Sequence, residues 1–65
     1  MTFKEYVLFK NPVGSNMVVK SFVIRFNLDE NSNLNGISGL GKRSKTTINK
    51  LQVKYKKRKE GVKNG

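Results

Sequence analysis

The side chains with the clearest chemistry are the lysines and arginines of the C-terminal third. Residues 42–65 carry ten basic residues and one acid, whereas residues 1–41 carry four basic residues and three acids. Ammonium and guanidinium groups neutralise phosphates, so this density predicts binding to a polyanion through the segment from Lys42 to Lys63. The candidate contacts in it are Lys42, Arg43, Lys45, Lys50, Lys54, Lys56, Lys57, Arg58 and Lys59.

The residue types that most enzymes use are missing from this chain. It has no histidine and no cysteine, and its four acids are scattered apart from the neighbours Asp29 and Glu30. That pair suits the start of a helix, where negative charge is stabilising. Two carboxylates alone are a weak metal site, and zinc normally needs Cys or His ligands. The sequence predicts a binding protein that is not an enzyme, with no cofactor and no metal.

A glycine-rich segment, GISGLGKRS over residues 36–44, resembles the Walker A phosphate-binding loop GxxxxGK[ST]. The spacing of Gly36, Gly41 and Lys42 matches that motif, in which backbone N–H groups surround phosphate. Arg43 stands where the motif has its magnesium-binding hydroxyl, and Ser44 comes one residue late. We interpret the segment as a flexible phosphate-backbone contact or a glycine-rich linker, and not as a nucleotide-hydrolysing site.

The first 28 residues hold fifteen of the 23 hydrophobic residues and should supply the core. Aromatic and β-branched residues predict strands over Phe3–Lys10 and Met17–Leu28, and Pro12 and Gly14 predict a turn between them. Alternation along the second strand predicts a core face. That face consists of Val18, Phe22, Ile24, Phe26 and Leu28, and only Lys20 interrupts it.

The rest of the chain allows two interpretations at each of two places. Over Asp29–Gly41, the spacing of Leu34, Ile37 and Leu40 fits a helix capped by Asp29 or Asn31, and it fits equally a loop anchored by those three residues. Ser44–Glu60 fits a helix packed by Ile48, Leu51 and Tyr55, and less well a strand.

Together these elements predict an α+β fold, with an antiparallel β-hairpin over residues 3–28, a Gly-rich connection and a basic C-terminal helix. The alternative is a small all-β three-stranded sheet with a disordered basic tail. We expect one small domain over residues 1–60 and a disordered tail over 61–65. So small a core often needs a second subunit, which makes a homodimer an expectation.

The chain has no apolar run long enough for a membrane span, and its N-terminus lacks the pattern of a signal peptide. We therefore expect a cytoplasmic or other intracellular location and no membrane partner.

The stretch from Ser21 to Tyr55 resembles the ribbon-helix-helix family of DNA-binding repressors. The resemblance makes residues 22–26 the ribbon, residues 29–40 the first helix, Gly41-Lys42-Arg43-Ser44 the turn, and residues 45–58 the second helix. It implies a dimer whose ribbon enters the major groove. Val23, Arg25 and Asn27 would then face the bases, which adds Arg25 and Asn27 to the candidate nucleic-acid contacts.

The sequence thus predicts non-catalytic binding to nucleic acid, to duplex DNA more than to RNA, in a regulatory or architectural role. One alternative is a small basic inhibitor or adaptor that binds an acidic surface of a larger enzyme such as a polymerase. Another is a ribosome-associated RNA binder. The lysines from residue 54 onward surround a helix axis, so they suit phosphate contacts better than base recognition.

Overall fold

Three α-helices build the fold. A computed structural model describes the backbone of residues 1–64 and the side chains of residues 1–59. Helix α1 spans Phe3–Phe9, α2 spans Met17–Arg25 and α3 spans Lys42–Asn64, with a short 3-10 helix at Leu34–Gly36. Residues 1–64 contain no strand. The predicted β-hairpin over residues 3–28 is therefore wrong, and so is the three-stranded alternative.

Helix α1 forms where a strand was predicted because its first turn is capped. The Thr2 hydroxyl accepts a hydrogen bond from the backbone N–H of Glu5 (3.1 Å), and the Glu5 carboxylate accepts one from the backbone N–H of Thr2 (2.8 Å). This capping box satisfies two N–H groups that a helix start leaves unpaired. Phe3, Tyr6 and Val7 then share one buried side of the helix. Capping and burial outweigh the strand preference of the aromatic residues.

Helix α2 begins at a similar cap, in which the Asn16 side chain accepts a hydrogen bond from the backbone N–H of Val19 (2.9 Å). Val19 and Val23 are buried, and the Phe22 and Phe26 rings stack beside them with centroids 5.8 Å apart. These residues follow helical spacing, i, i+3, i+4 and i+7. The predicted strand face is consequently wrong at two of its members, since Val18 and Ile24 are exposed.

The end of α2 is a Schellman motif. Asn27 adopts a left-handed φ of 51°, which few residues other than glycine and asparagine tolerate. The backbone N–H of Leu28 donates to the Val23 carbonyl (3.0 Å), and that of Asn27 donates to the Ile24 carbonyl (3.3 Å). Leu28 is buried next to the core and starts the connection toward α3.

The connection between α2 and α3 confirms the loop interpretation of residues 29–41. Only the three residues of the 3-10 helix are helical there, so the first helix expected from the ribbon-helix-helix resemblance is absent. Leu34 and Leu40 are buried and Ile37 packs against the same core. Three apolar anchors thus hold a loop whose glycines and asparagines disfavour a longer helix.

Helix α3 supplies the other wall of the core. Ile48, Leu51 and Tyr55 are buried, as the helical interpretation predicted. The Tyr55 ring lies 5.8 Å from that of Phe3 and 5.4 Å from that of Tyr6, and its hydroxyl donates to the Met1 carbonyl. The helix begins two residues earlier than predicted and extends to Asn64. The domain boundary at residue 60 and the disordered tail over residues 61–65 stay predictions, because the structure describes no side chain beyond residue 59.

The capping box makes the stability of the fold sensitive to acid. Hydrogen bonds from the Thr2 backbone and then from its side chain hold the pKa of Glu5 below its ordinary value. A carboxyl whose pKa is lowered by folding stabilises the fold above the unfolded-state pKa, and that stabilisation is lost as pH falls through the folded-state pKa. We therefore expect Glu5→Gln, which keeps a cap but cannot titrate, to flatten the acid limb of a thermal-stability profile. Identical acid limbs in both proteins would contradict this role for Glu5.

Candidate nucleic-acid interface

The exposed basic residues of α3 are arranged by the helical period. Positions i, i+7, i+11 and i+14 recur on one side of a helix with 3.6 residues per turn. Four exposed basic residues have this spacing and lie on the side away from Ile48 and Tyr55. From first to last they cover about 21 Å of helix, at 1.5 Å per residue. We call them the outer stripe: Arg43, Lys50, Lys54 and Lys57.

Most of the other predicted contacts on α3 flank the outer stripe. Lys42, Lys56 and Arg58 are exposed to either side of it, whereas Lys45 is half-buried. The predicted phosphate contacts on α3 therefore surround the exposed part of the helix, and four of them share the side of the outer stripe. We call the whole set the cationic column.

Lys59 differs from the rest of the column because it already has an acidic partner within the protein. Its ammonium group lies 3.4 Å from the Glu30 carboxylate and 5.8 Å from the centre of the Tyr55 ring. No other ion pair forms among the side chains of residues 1–59. We expect Lys59 to contribute less to phosphate binding than the outer stripe.

The base-facing set suggested by the ribbon-helix-helix resemblance is not assembled. Residues 22–26 belong to α2 and its cap instead of a strand, and helical geometry points Val23 and Arg25 in different directions. Val23 is fully buried, whereas Arg25 is exposed. The Asn27 side chain accepts a hydrogen bond from the Lys4 ammonium group (2.7 Å) and sits at the end of α2. Arg25 and Asn27 thus belong to α2 and its C-terminal end, and not to the cationic column of α3.

The Walker-like segment forms the last part of the connection into α3. Gly36 ends the 3-10 helix, and the Gly41 carbonyl accepts the first helical hydrogen bond, from the backbone N–H of Lys45 (2.8 Å). Gly39 has a φ of 90°, which favours glycine. A nucleotide-binding P-loop follows a strand of a parallel sheet, and residues 1–64 contain no strand. The linker interpretation fits this geometry.

A polar groove of about 350 Å³ lies between the 3-10 helix and α3, and the sequence did not suggest it. Gln52 is buried at its wall, where the side-chain amide donates to the backbone carbonyls of Asp29 (2.8 Å) and Ser32 (3.2 Å). These two hydrogen bonds attach the connection to α3. In the sequence, only the cluster of asparagines over residues 31–35 indicates a polar groove at this place. The remaining lining residues include Asn33, Leu34, Asn35, Lys45 and Asn49.

A second cavity, of about 330 Å³, lies between the outer stripe and the loop that connects α1 and α2. Val13 and Gly14 of that loop form one wall, and Lys50 and Lys54 of the outer stripe form the other. Sequence patterns could not place this loop beside α3, because the contact depends on how the helices pack.

Comparison with known proteins finds no matching family model, no similar curated protein and no similar solved structure. None of the described helices is both long enough and apolar enough to cross a bilayer.

Proposed function

We propose that this protein binds nucleic acid without catalysis, through the exposed side of α3, and that duplex DNA is its principal partner. The observation that supports this proposal is the outer stripe, in which four cations line about 21 Å of a helix. Lysine and arginine in such a row bind successive phosphates and release their counterions. The role that fits is regulatory or architectural.

The charge around α3 is unopposed over a long stretch of sequence. No acid occurs between Asn31 and Lys59. The acids before this stretch are Glu5, which caps α1, and the neighbours Asp29 and Glu30, of which Glu30 pairs with Lys59. The field on the exposed side of α3 is therefore positive along its described length, which attracts a polyanion and speeds its association.

The shape of α3 suits a duplex. An α-helix with its side chains is about 10–12 Å in diameter, and the major groove of B-DNA is about 12 Å wide. One side of α3 packs on α1 and α2, and the four side chains of the outer stripe are exposed to solvent. Lysine-rich contacts of this type grip phosphates and carry little sequence information. We expect modest sequence specificity as a result.

A salt titration tests the proposal. Labelled duplex DNA, single-stranded DNA and RNA are titrated with the protein at NaCl concentrations from about 50 to 300 mM, and binding is read by fluorescence anisotropy. For four to seven phosphate contacts on a duplex, the slope of log K against log[NaCl] should be about −3.6 to −6.3. Negligible affinity for all three nucleic acids at about 50 mM salt would overturn the proposal.

A further inference from the structure

The loop between α1 and α2 exposes an unusual amount of apolar surface. Phe9, Val13 and Met17 are 72, 85 and 77% exposed, and together we call them the apolar tip. Large apolar residues that are exposed together at one end of a fold can mark a surface that another molecule covers. Their positions at the end of α1, in the loop and at the start of α2 put all three at one end of the helix pair.

The apolar tip is held in place by its loop. The Ser15 hydroxyl donates to the Val7 carbonyl (2.9 Å), and its backbone N–H donates to the Pro12 carbonyl (3.0 Å). Gly14 adopts a φ of 93°, and a Cβ atom there would lie 3.6 Å from the Thr47 side chain of α3. The loop thus lies against α3 at Gly14.

Cations surround the apolar tip. Val13 shares a cavity with Lys50 and Lys54 of the outer stripe. The Lys20 ammonium group reaches the loop through a hydrogen bond to the Asn11 side chain (2.6 Å). No acid occurs from residue 6 to residue 28. The partner that covers the tip must therefore be anionic around its contact and apolar where the tip enters.

We propose that the apolar tip is a wedge that enters a base step of duplex DNA and bends it, while the outer stripe holds the adjacent phosphates. This inference rests on the proposed function and extends it from phosphate binding to deformation of the duplex. Stacked bases are the apolar interior of DNA, and a phosphate row flanks every step. Proteins that insert apolar side chains between base steps do so from the minor groove and bend the duplex by about 20–90° toward the major groove. Val13 of the tip and two lysines of the outer stripe, Lys50 and Lys54, line the same cavity from opposite walls, so one duplex can contact both.

An anionic lipid bilayer also combines a charged surface with an apolar interior, so it is the alternative partner for the apolar tip. The composition of the outer stripe fits a bilayer poorly. A helix that lies in a bilayer interface presents apolar residues along its length beside the basic ones. On α3, Val53 is the single large apolar side chain that is exposed among residues 42–59. A row of cations with so little apolar surface between them fits a phosphate backbone better than a lipid interface.

A bending experiment tests the wedge separately from binding. A short duplex labelled at both ends reports bending by energy transfer, and the same duplex with 2-aminopurine at its centre reports unstacking. The wild-type protein should raise both signals at saturation. Val13→Ser and Phe9→Ser should retain most of the affinity and the same salt slope, yet lose at least half of each signal. Ile24→Ser is the matched control, since Ile24 is exposed on α2 but lies outside the tip, and it should bend DNA as the wild type does.

The outcomes separate the two proposals. Absence of DNA binding by the wild-type protein overturns the proposed function. Salt-dependent binding without bending or unstacking overturns the wedge alone, and so does full bending by Val13→Ser and Phe9→Ser. Vesicles with phosphatidylserine form the last arm: if the tip variants lose vesicle binding while DNA bending is unchanged, the tip contacts lipid and the wedge is wrong. Because the substituted side chains are exposed, circular dichroism should report the same helix content for every variant.

Discussion

Replacing Lys54 and Lys57 by glutamine is expected to weaken duplex binding by roughly 50-fold at about 0.1 M salt. Each lost phosphate contact lowers the magnitude of the salt slope by about 0.9, so the double variant should lose about 1.8. Lysine and glutamine have similar helix propensities, and both positions are exposed. The fold should therefore be unchanged, and the loss should report charge at the outer stripe. Anisotropy titrations at four salt concentrations give both quantities.

The control removes the same charge from another part of the molecule. Lys4→Gln with Arg25→Gln lowers the net charge by the same two units, but Lys4 lies on α1 and Arg25 on α2. Long-range attraction should fall equally in both double variants, whereas the salt slope should change little in the control. Equal losses of affinity and slope in the two variants would show that net charge alone, and not the outer stripe, governs binding.

The second large effect is expected in the core. Ile48→Ala removes a fully buried side chain from the centre of α3, which should cost about 2–5 kcal/mol of the free energy of unfolding. A domain of this size has a total of only about 3–10 kcal/mol at typical values per residue. The variant should consequently populate the unfolded state to a large extent at 25 °C. Urea denaturation followed by far-UV circular dichroism measures the change.

Val53→Ala is the matched control for that experiment. Val53 is also on α3 but is 44% exposed, and alanine favours a helix more than valine does. The free energy of unfolding should therefore change by less than about 0.5 kcal/mol. An Ile48→Ala protein as stable as Val53→Ala would mean that α3 does not pack on α1 and α2 through this side chain.

The helices at the N-terminus were predictable only from their caps. Thr2 and Glu5 have the capping-box spacing, and Asn16 precedes α2 as an N-cap residue, so local signals for both helices were present in the sequence. The density of aromatic and β-branched residues in the same segments favours strands and competes with these cap signals. In the segment 17–28 apolar side chains are so frequent that a two-residue period finds a face interrupted only by Lys20, and a 3.6-residue period finds an uninterrupted one. Only the buried set, with Val19 and Val23 at its centre, distinguishes the two.

The helix in the basic segment is predictable because the apolar residues there are sparse. Ile48, Leu51 and Tyr55 fit one helical side, and the helical period then decides which exposed cations share another side. The apolar tip could not be predicted in the same way. Its place beside Lys50 and Lys54 follows from the packing of a loop on a distant helix, which no local pattern encodes.

The most direct test of binding through α3 is the salt slope on one duplex, measured side by side for three proteins. These are the wild type, the outer-stripe double variant at Lys54 and Lys57, and the control double variant at Lys4 and Arg25. Binding through the outer stripe predicts a slope of about −3.6 or steeper for the wild type, a similar slope for the control, and a slope shallower by about 1.8 for the outer-stripe variant. Equal slopes in all three proteins, or no measurable binding of the wild type at about 50 mM salt, would contradict it.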